Sequence, residues 1–233
     1  NVKLVDLIKL TYKSVNRGIM KEVYSYINGK WIIGESIQSD ILNPATEELL
    51  GRVRYCSPAQ VSLAASSALA AQDGWRRTPA VERVQFLFKI KNLLEQNLDE
   101  LARLITMENG KTLNESIGEL RRAIENVEVA SGIPILSQGA VSEDIARGID
   151  ELMIRQPVGV CAIIAPFNFP SMIPFWFFPY ALGLGNTILI KPSERTPLTM
   201  TRIMEIIEPI GYKAKDRNDE FLKSYSQMIN KFT

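Results

Sequence analysis

The chain has 233 residues, 46% of them hydrophobic and 23% charged, a balance that supports one large folded domain or two small ones rather than a disordered segment. Lys and Arg total 27 against 26 for Asp and Glu, and the net charge of +1 gives no field that would gather nucleic acid or an anionic membrane. With no histidine at all, a Ser-His-Asp triad and an imidazole metal site are excluded, and no metal is expected.

In chain order, residues 1–23 carry Lys3, Lys9, Lys13 and Arg17 against Asp6, interleaved with Val2, Leu4, Val5, Leu7, Ile8 and Leu10. This pattern fits the remnant of a mitochondrial transit peptide and fits an ordinary amphipathic helix equally well. From Tyr24 to Tyr55 the chain reads as short strands and turns, because Tyr26-Ile27 and Lys30-Trp-Ile-Ile33 flank Asn28-Gly29, a two-residue hairpin signal. Asn43-Pro-Ala-Thr46 marks the next turn. Ser57-Pro58 offers an N-cap with Pro at the first helical position, opening an Ala-rich helix that ends near Gly74. Thr78-Pro79 starts a second helix running to about Gln96, a third spans about Asp99 to Asn109 and stops at Gly110, and a fourth covers about Leu113 to Ala130. Residues 57–131 thus form a helical layer.

Residues 135–156 read as an extended hairpin. Val158 to Ile164 is a continuous apolar run, as in a parallel strand covered on both faces. The apolar stretch from Phe167 to Leu184 is broken by Asn168, Pro170, Pro174, Pro179 and Gly183, which argues against a membrane span. Within it Met172 to Leu182 reads as a helix ended by Gly183; Asn186 to Ile190 is a second buried strand, and Pro197 starts another helix. The order is βαβα, the start of a doubly wound, Rossmann-like α/β sheet. Gly183-x-Gly185 lacks the third glycine of a dinucleotide fingerprint and reads as a helix end. The tail from Lys213 to Thr233 is polar and mixed in charge, and its Phe221, Leu222, Tyr225, Met228, Ile229 and Phe232 fit one amphipathic helix. Two parallel strands alone leave open edges, so the sheet reads as truncated before its remaining strands.

Two segments carry chemistry. Ala165-Pro-Phe-Asn-Phe-Pro170 follows the first buried strand at its carboxyl end, where open α/β sheets place ligands. Asn168 there can aim its amide at an oxygen that becomes negative during attack on a carbonyl, or it can be a turn residue bonded to its own backbone. Lys191-Pro-Ser-Glu-Arg195 leaves the second strand: Glu194 can accept from ribose hydroxyls and Lys191 can donate to the same sugar. The alternative is that Ser193 or Thr196 caps the next helix and the charges are merely solvated. Cys56 precedes a helix cap, which can lower a thiol pKa; Cys161 lies inside the apolar strand and reads as a packing residue. Their spacing supports neither a disulfide framework nor a zinc site.

Jointly, Tyr26-Ile-Asn-Gly-Lys-Trp31, Asn43-Pro-Ala-Thr46, Glu108-Asn-Gly-Lys-Thr112, Pro157-Val-Gly-Val160, Ala165-Pro-Phe-Asn-Phe-Pro170, Gly185-Asn-Thr187 and Lys191-Pro-Ser-Glu-Arg195 resemble the aldehyde dehydrogenase superfamily over about residues 24–211. Met172-Ile-Pro-Phe-Trp-Phe-Phe-Pro179 adds a resemblance to its methylmalonate-semialdehyde dehydrogenase branch. The resemblance implies NAD as cofactor, coenzyme A as co-substrate in the full-length family, an aldehyde substrate from valine and pyrimidine breakdown, a homo-oligomer and a mitochondrial matrix address. By the same resemblance Asn168 is the oxyanion donor, Lys191 and Glu194 hold the adenosine ribose, and Ala165, Phe167 and Arg195 line the cofactor cleft. The family's nucleophilic Cys and its activating carboxylate match no position here, so the expectation is the N-terminal half of the enzyme. It comprises a partial NAD-binding domain (24–211, with a bridging hairpin at 135–157) and a divergent tail (212–233), with an incomplete NAD site and no activity alone. The rival expectation is a non-catalytic module that pairs with full-length subunits.

Overall fold

The computed structural model describes residues 21–212 and 224–227. Five short strands come first: β1 (Lys21–Val23), β2 (Ser25–Ile27), β3 (Lys30–Ile32), β4 (Gln38–Leu42) and β5 (Leu49–Arg54). Residues 1–20 of the expected amphipathic or targeting segment lie outside the described residues, and Lys21–Val23 is a strand, paired in parallel with β5. The Asn28-Gly29 turn forms as its sequence requires. Both residues take positive φ, 54° and 69°, and they set Tyr26 opposite Trp31 across the β2–β3 hairpin.

Four helices follow, α1 (Pro58–Arg77), α2 (Ala80–Gln96), α3 (Leu98–Asn109) and α4 (Leu113–Ala130), then a single turn, α5 (Ile133–Leu136). Ser57 caps α1 through a capping box with Gln60, and Gly110, at φ 86°, ends α3 in the left-handed conformation. Gly74 does not end α1. Buried Trp75, whose indole N–H donates to the Leu182 carbonyl at 3.1 Å, carries the helix past the glycine, because tertiary packing outweighs a local propensity near 1 kcal/mol.

The hairpin β6 (Ala140–Ala146) and β7 (Ile149–Met153) stands out from the body with every residue exposed. Next come β8 (Val160–Ile164), α6 (Met172–Phe175), α7 (Phe178–Gly183), β9 (Thr187–Lys191), α8 (Leu198–Ile207), a 3-10 turn (Glu208–Tyr212) and β10 (Tyr225–Gln227). The single helix expected over Met172–Leu182 is two short ones. Pro174 and Pro179 each lack an N–H and cannot continue a ladder, so each sits in the first turn of its own piece.

The main sheet runs β3-β2-β10-β9-β8, with β8, β9 and β10 mutually parallel and β2 antiparallel to β10. The part of the tail that is described, β10, is therefore a strand rather than helix; residues 213–223 and 228–233 lie outside the described residues. Every residue of β9 is buried. Ile188 and Ile190 pack into the large core with α2, α7 and α8, and Leu189 packs on the opposite face with Ala64 and Ala68 of α1. β8 departs from the expected two-sided burial. Ile163 faces the core, whereas Ile164 is 62% exposed, because β8 is the edge strand of the sheet and its outer face is left largely open.

Candidate functional site

β8 and β9 pair with Ile164 opposite Lys191, so the loops that follow them leave the sheet at one end. Ala165, buried against the ladder, extends it by donating its N–H to the Lys191 carbonyl at 3.0 Å. The first loop then exposes Phe167 and Asn168. Asn168 makes no side-chain hydrogen bond among the described residues, so the turn reading, in which the amide bonds its own backbone, is not what forms.

In the second loop the Lys191 ammonium donates to the Glu194 carboxylate at 3.0 Å. Burial pushes the Glu194 carboxyl up, but a backbone N–H bond, the Lys191 contact and the charges of Lys191 and Arg195 together outweigh it, so its pKa lies below the usual carboxylate range. The result is an ionised acceptor beside a donor at the end of a parallel strand. Arg195 places its guanidinium 5.2 Å from the Phe167 ring centroid, and Thr196 donates its hydroxyl to the Phe167 carbonyl at 3.3 Å, so the two loops are tied to each other. All six residues singled out in the sequence, Ala165, Phe167, Asn168, Lys191, Glu194 and Arg195, sit at this end of the sheet, Lys191 as the last residue of β9 and the other five on the two adjoining loops.

The helix after the second loop is not capped by Ser193 or Thr196. Glu108 of α3 does that work, its carboxylate accepting from the backbone N–H groups of Leu198 at 2.8 Å and Thr199 at 2.9 Å. Ser193 instead accepts from the Arg195 N–H within the loop. Residues 109–119 also reach the first loop. Asn109 donates to the Phe167 carbonyl at 2.8 Å, Lys111 donates to the Asn168 carbonyl at 2.6 Å, and Glu119 accepts from the Ser171 backbone and hydroxyl, both at 2.8 Å. Sequence reasoning gave these residues no role. Glu108-Asn-Gly-Lys-Thr112 entered only as one of the strings that carry the family resemblance, and nothing in the linear chain pointed to Glu119.

Neither cysteine is placed as a nucleophile. Cys56 is 2% exposed and lies 3.2 Å from the Ser25 hydroxyl, and burial pushes the Cys161 thiol up within β8. Among the described residues no cluster of His, Cys, Asp or Glu is arranged to hold a metal, and no helix is long and apolar enough to cross a membrane.

Residues 31–215 match the model of the aldehyde dehydrogenase family. This chain belongs to that family. Over 193 residues it is 45% identical to a malonate-semialdehyde dehydrogenase of Bacillus velezensis, covering 82% of this chain and 40% of the relative. It is 44% identical to malonate-semialdehyde dehydrogenase 2 of Geobacillus thermodenitrificans, covering 83% of this chain and 40% of the relative. Among solved structures, a Sinorhizobium meliloti protein assigned as methylmalonate-semialdehyde dehydrogenase and complexed with NAD superposes with a TM-score of 0.83 at 38% identity, covering 91% of this chain and 42% of that one. The chain thus spans about 40% of the length of the relatives it matches, and its α/β fold is that of the family. The mitochondrial address implied by the resemblance is overturned: the malonate-semialdehyde dehydrogenases to which the chain is similar come from bacteria, which have no mitochondria.

Proposed function

We propose that this segment supplies the ribose-binding and oxyanion-donating part of an NAD-dependent aldehyde dehydrogenase that oxidises malonate or methylmalonate semialdehyde and passes the acyl group to coenzyme A. The reading rests on one observation: Asn168 and the Lys191–Glu194 pair lie on tied loops at the carboxyl ends of two adjacent parallel strands, where such sheets bind nucleotides. The residues fit NAD. An ionised Glu194 can accept from two ribose hydroxyls while Lys191, already oriented by it, donates to one of them. Bound NAD supplies the hydride acceptor. What this chain's own residues do is hold the sugar and present the free Asn168 amide to an oxygen gaining charge, a contribution that in other oxyanion sites is worth about 3 kcal/mol of barrier.

The test is titration of the chain with NAD, followed at backbone amides by NMR. Shifts centred on 165–169 and 191–195, with an affinity weaker than about 1 mM, are expected, and Lys191→Ala abolishes them. Shifts elsewhere, or none at all, overturn the reading. The same material should form no NADH from malonate semialdehyde, NAD and coenzyme A, because Cys56 is shut off from solvent and Cys161 belongs to a strand; turnover would refute that part.

A second reading has its own observation. The β6–β7 hairpin exposes Val141 (71%) and Leu152 (64%), and Ile154 directly after it is 66% exposed; exposed apolar side chains grouped in this way mark interaction surfaces, which favours pairing with another subunit of a homo-oligomeric aldehyde dehydrogenase. Copurification with a complete subunit that is lost on Val141→Glu/Leu152→Glu supports it; indifference to that change sinks it.

A further inference from the structure

The turn Glu108-Asn-Gly-Lys111 joins α3 to α4, and neither the ribose pair nor the oxyanion donor belongs to it. At Gly110 the chain takes φ 86° and passes so close to Pro44 that an added Cβ would lie 2.8 Å from its ring. This reversal turns Asn109 and Lys111 toward the loop that carries Asn168. Lys111 spends its ammonium in three directions: onto the Asn168 carbonyl at 2.6 Å, onto Glu119 at 2.6 Å, and over the Phe169 ring at 4.2 Å. Asn109 takes the neighbouring Phe167 carbonyl. Glu119, its side chain wholly buried, uses one oxygen for Lys111 and the other for the N–H groups of Ser171 and Met172 and the Ser171 hydroxyl.

Both ends of a short loop are therefore fastened from the helical layer through backbone atoms, while the one side chain between them that can act on substrate stays uncommitted. A donor is effective against developing charge only if its direction is fixed before the charge appears. We infer that Lys111, Asn109 and Glu119 are positioning residues for Asn168, a clamp that fixes the backbone from which its amide projects without touching the reacting atoms. The inference rests on the reading of Asn168 as oxyanion donor, and Thr196, which shares the Phe167 carbonyl with Asn109, links the same clamp to the ribose loop.

Backbone 15N relaxation of the 233-residue chain tests it without NAD or aldehyde. In the unaltered chain Phe167 and Asn168 should have order parameters of about 0.85, falling below about 0.6 in Lys111→Met and by a smaller step in Asn109→Ala, while α3 and α4 keep their values. Lys111→Arg, which can still donate to both the carbonyl and Glu119, should restore rigidity. Because Lys111→Met strands a buried carboxylate, Lys111→Met/Glu119→Gln provides a folded counterpart, and it too should loosen 167–168. An unmoved loop in all of these overturns the inference, as does equal loosening of α3 and α4, which would mark the residues as general supports of the fold. Failure of NAD to perturb Lys191 and Glu194 would instead remove the functional reading, so the two failures are told apart.

Discussion

Glu108 has both carboxylate oxygens on backbone N–H groups at the start of α8 and is 3% exposed. Burial pushes its pKa up to about 7 against the pull of the Thr199 hydroxyl and backbone and of the Leu198 N–H, with the charge of Glu119 adding to the rise. The folded carboxyl thus holds its proton more tightly than the unfolded one, whose pKa is about 4.5. Between about pH 4.5 and 7 the native state binds more protons than the unfolded state, so this group's contribution is full below that window, falls as pH rises through it and is flat above, by at most on the order of 3 kcal/mol. Glu108→Gln should remove that slope from urea-unfolding free energies taken at about pH 5, 6, 7 and 8; an identical slope in the variant would show that the carboxyl is not protonated on folding.

The same residue shows what was legible. That Asn168, Lys191 and Glu194 lie together at one end of the sheet could be read, because each belongs to a contiguous string leaving a strand whose apolar run is plain. Glu108, Lys111 and Glu119 could not, because their partners lie 90, 57 and 52 positions away and nothing in the linear chain says which loop a polar side chain will reach.

At the scale of elements, α1 shows a cap that is more than a cap. Ser57 and Gln60 bond each other's backbone N–H, and Gln60 also accepts from the Glu35 N–H at 3.1 Å and donates to the Ile33 carbonyl at 2.8 Å. The helix start is thereby fixed to the 33–35 loop, which runs so close to β5 that a Cβ at Gly34 would meet the Arg54 carbonyl oxygen. Ser57→Ala should cost about 1 kcal/mol. Gln60→Ala removes the loop bonds as well and leaves buried groups unpaired, so about 2–3 kcal/mol is expected. Denaturant midpoints compare the two directly, and equal costs would mean the loop bonds contribute nothing. Ser57-Pro58 announced this helix, since cap chemistry is local. The division of Met172–Leu182 was missed for the opposite reason: apolar periodicity runs on through Pro174 and Pro179 while the backbone ladder does not.

For the whole molecule, the sheet depends on a strand that its own sequence does not announce. The apolar positions from Phe221 to Phe232 fit a helix, yet Tyr225–Gln227 pairs in parallel with β9 and antiparallel with β2, and the Ile188 N–H donates to the Ser224 carbonyl at 2.7 Å. A strand this short is set by the edges waiting for it rather than by propensity. It also lies beyond the residues matched to the aldehyde dehydrogenase model, 31–215. Its insertion joins the N-terminal hairpin β2–β3 to the parallel strands β8 and β9, from which both candidate-site loops leave. Ser226 is fully buried in the middle of this strand, with a neighbour on each side, so proline there removes a ladder bond that water cannot replace. Ser226→Pro should lower stability by about 2 kcal/mol or more and loosen β2 and β9 together in hydrogen exchange, because they lose the same neighbour. Ser226→Thr, which keeps the N–H, should stay close to the parent. If proline leaves the unfolding midpoint and the exchange of Ile188–Ile190 unchanged, β10 does not hold the two halves of the sheet together in solution.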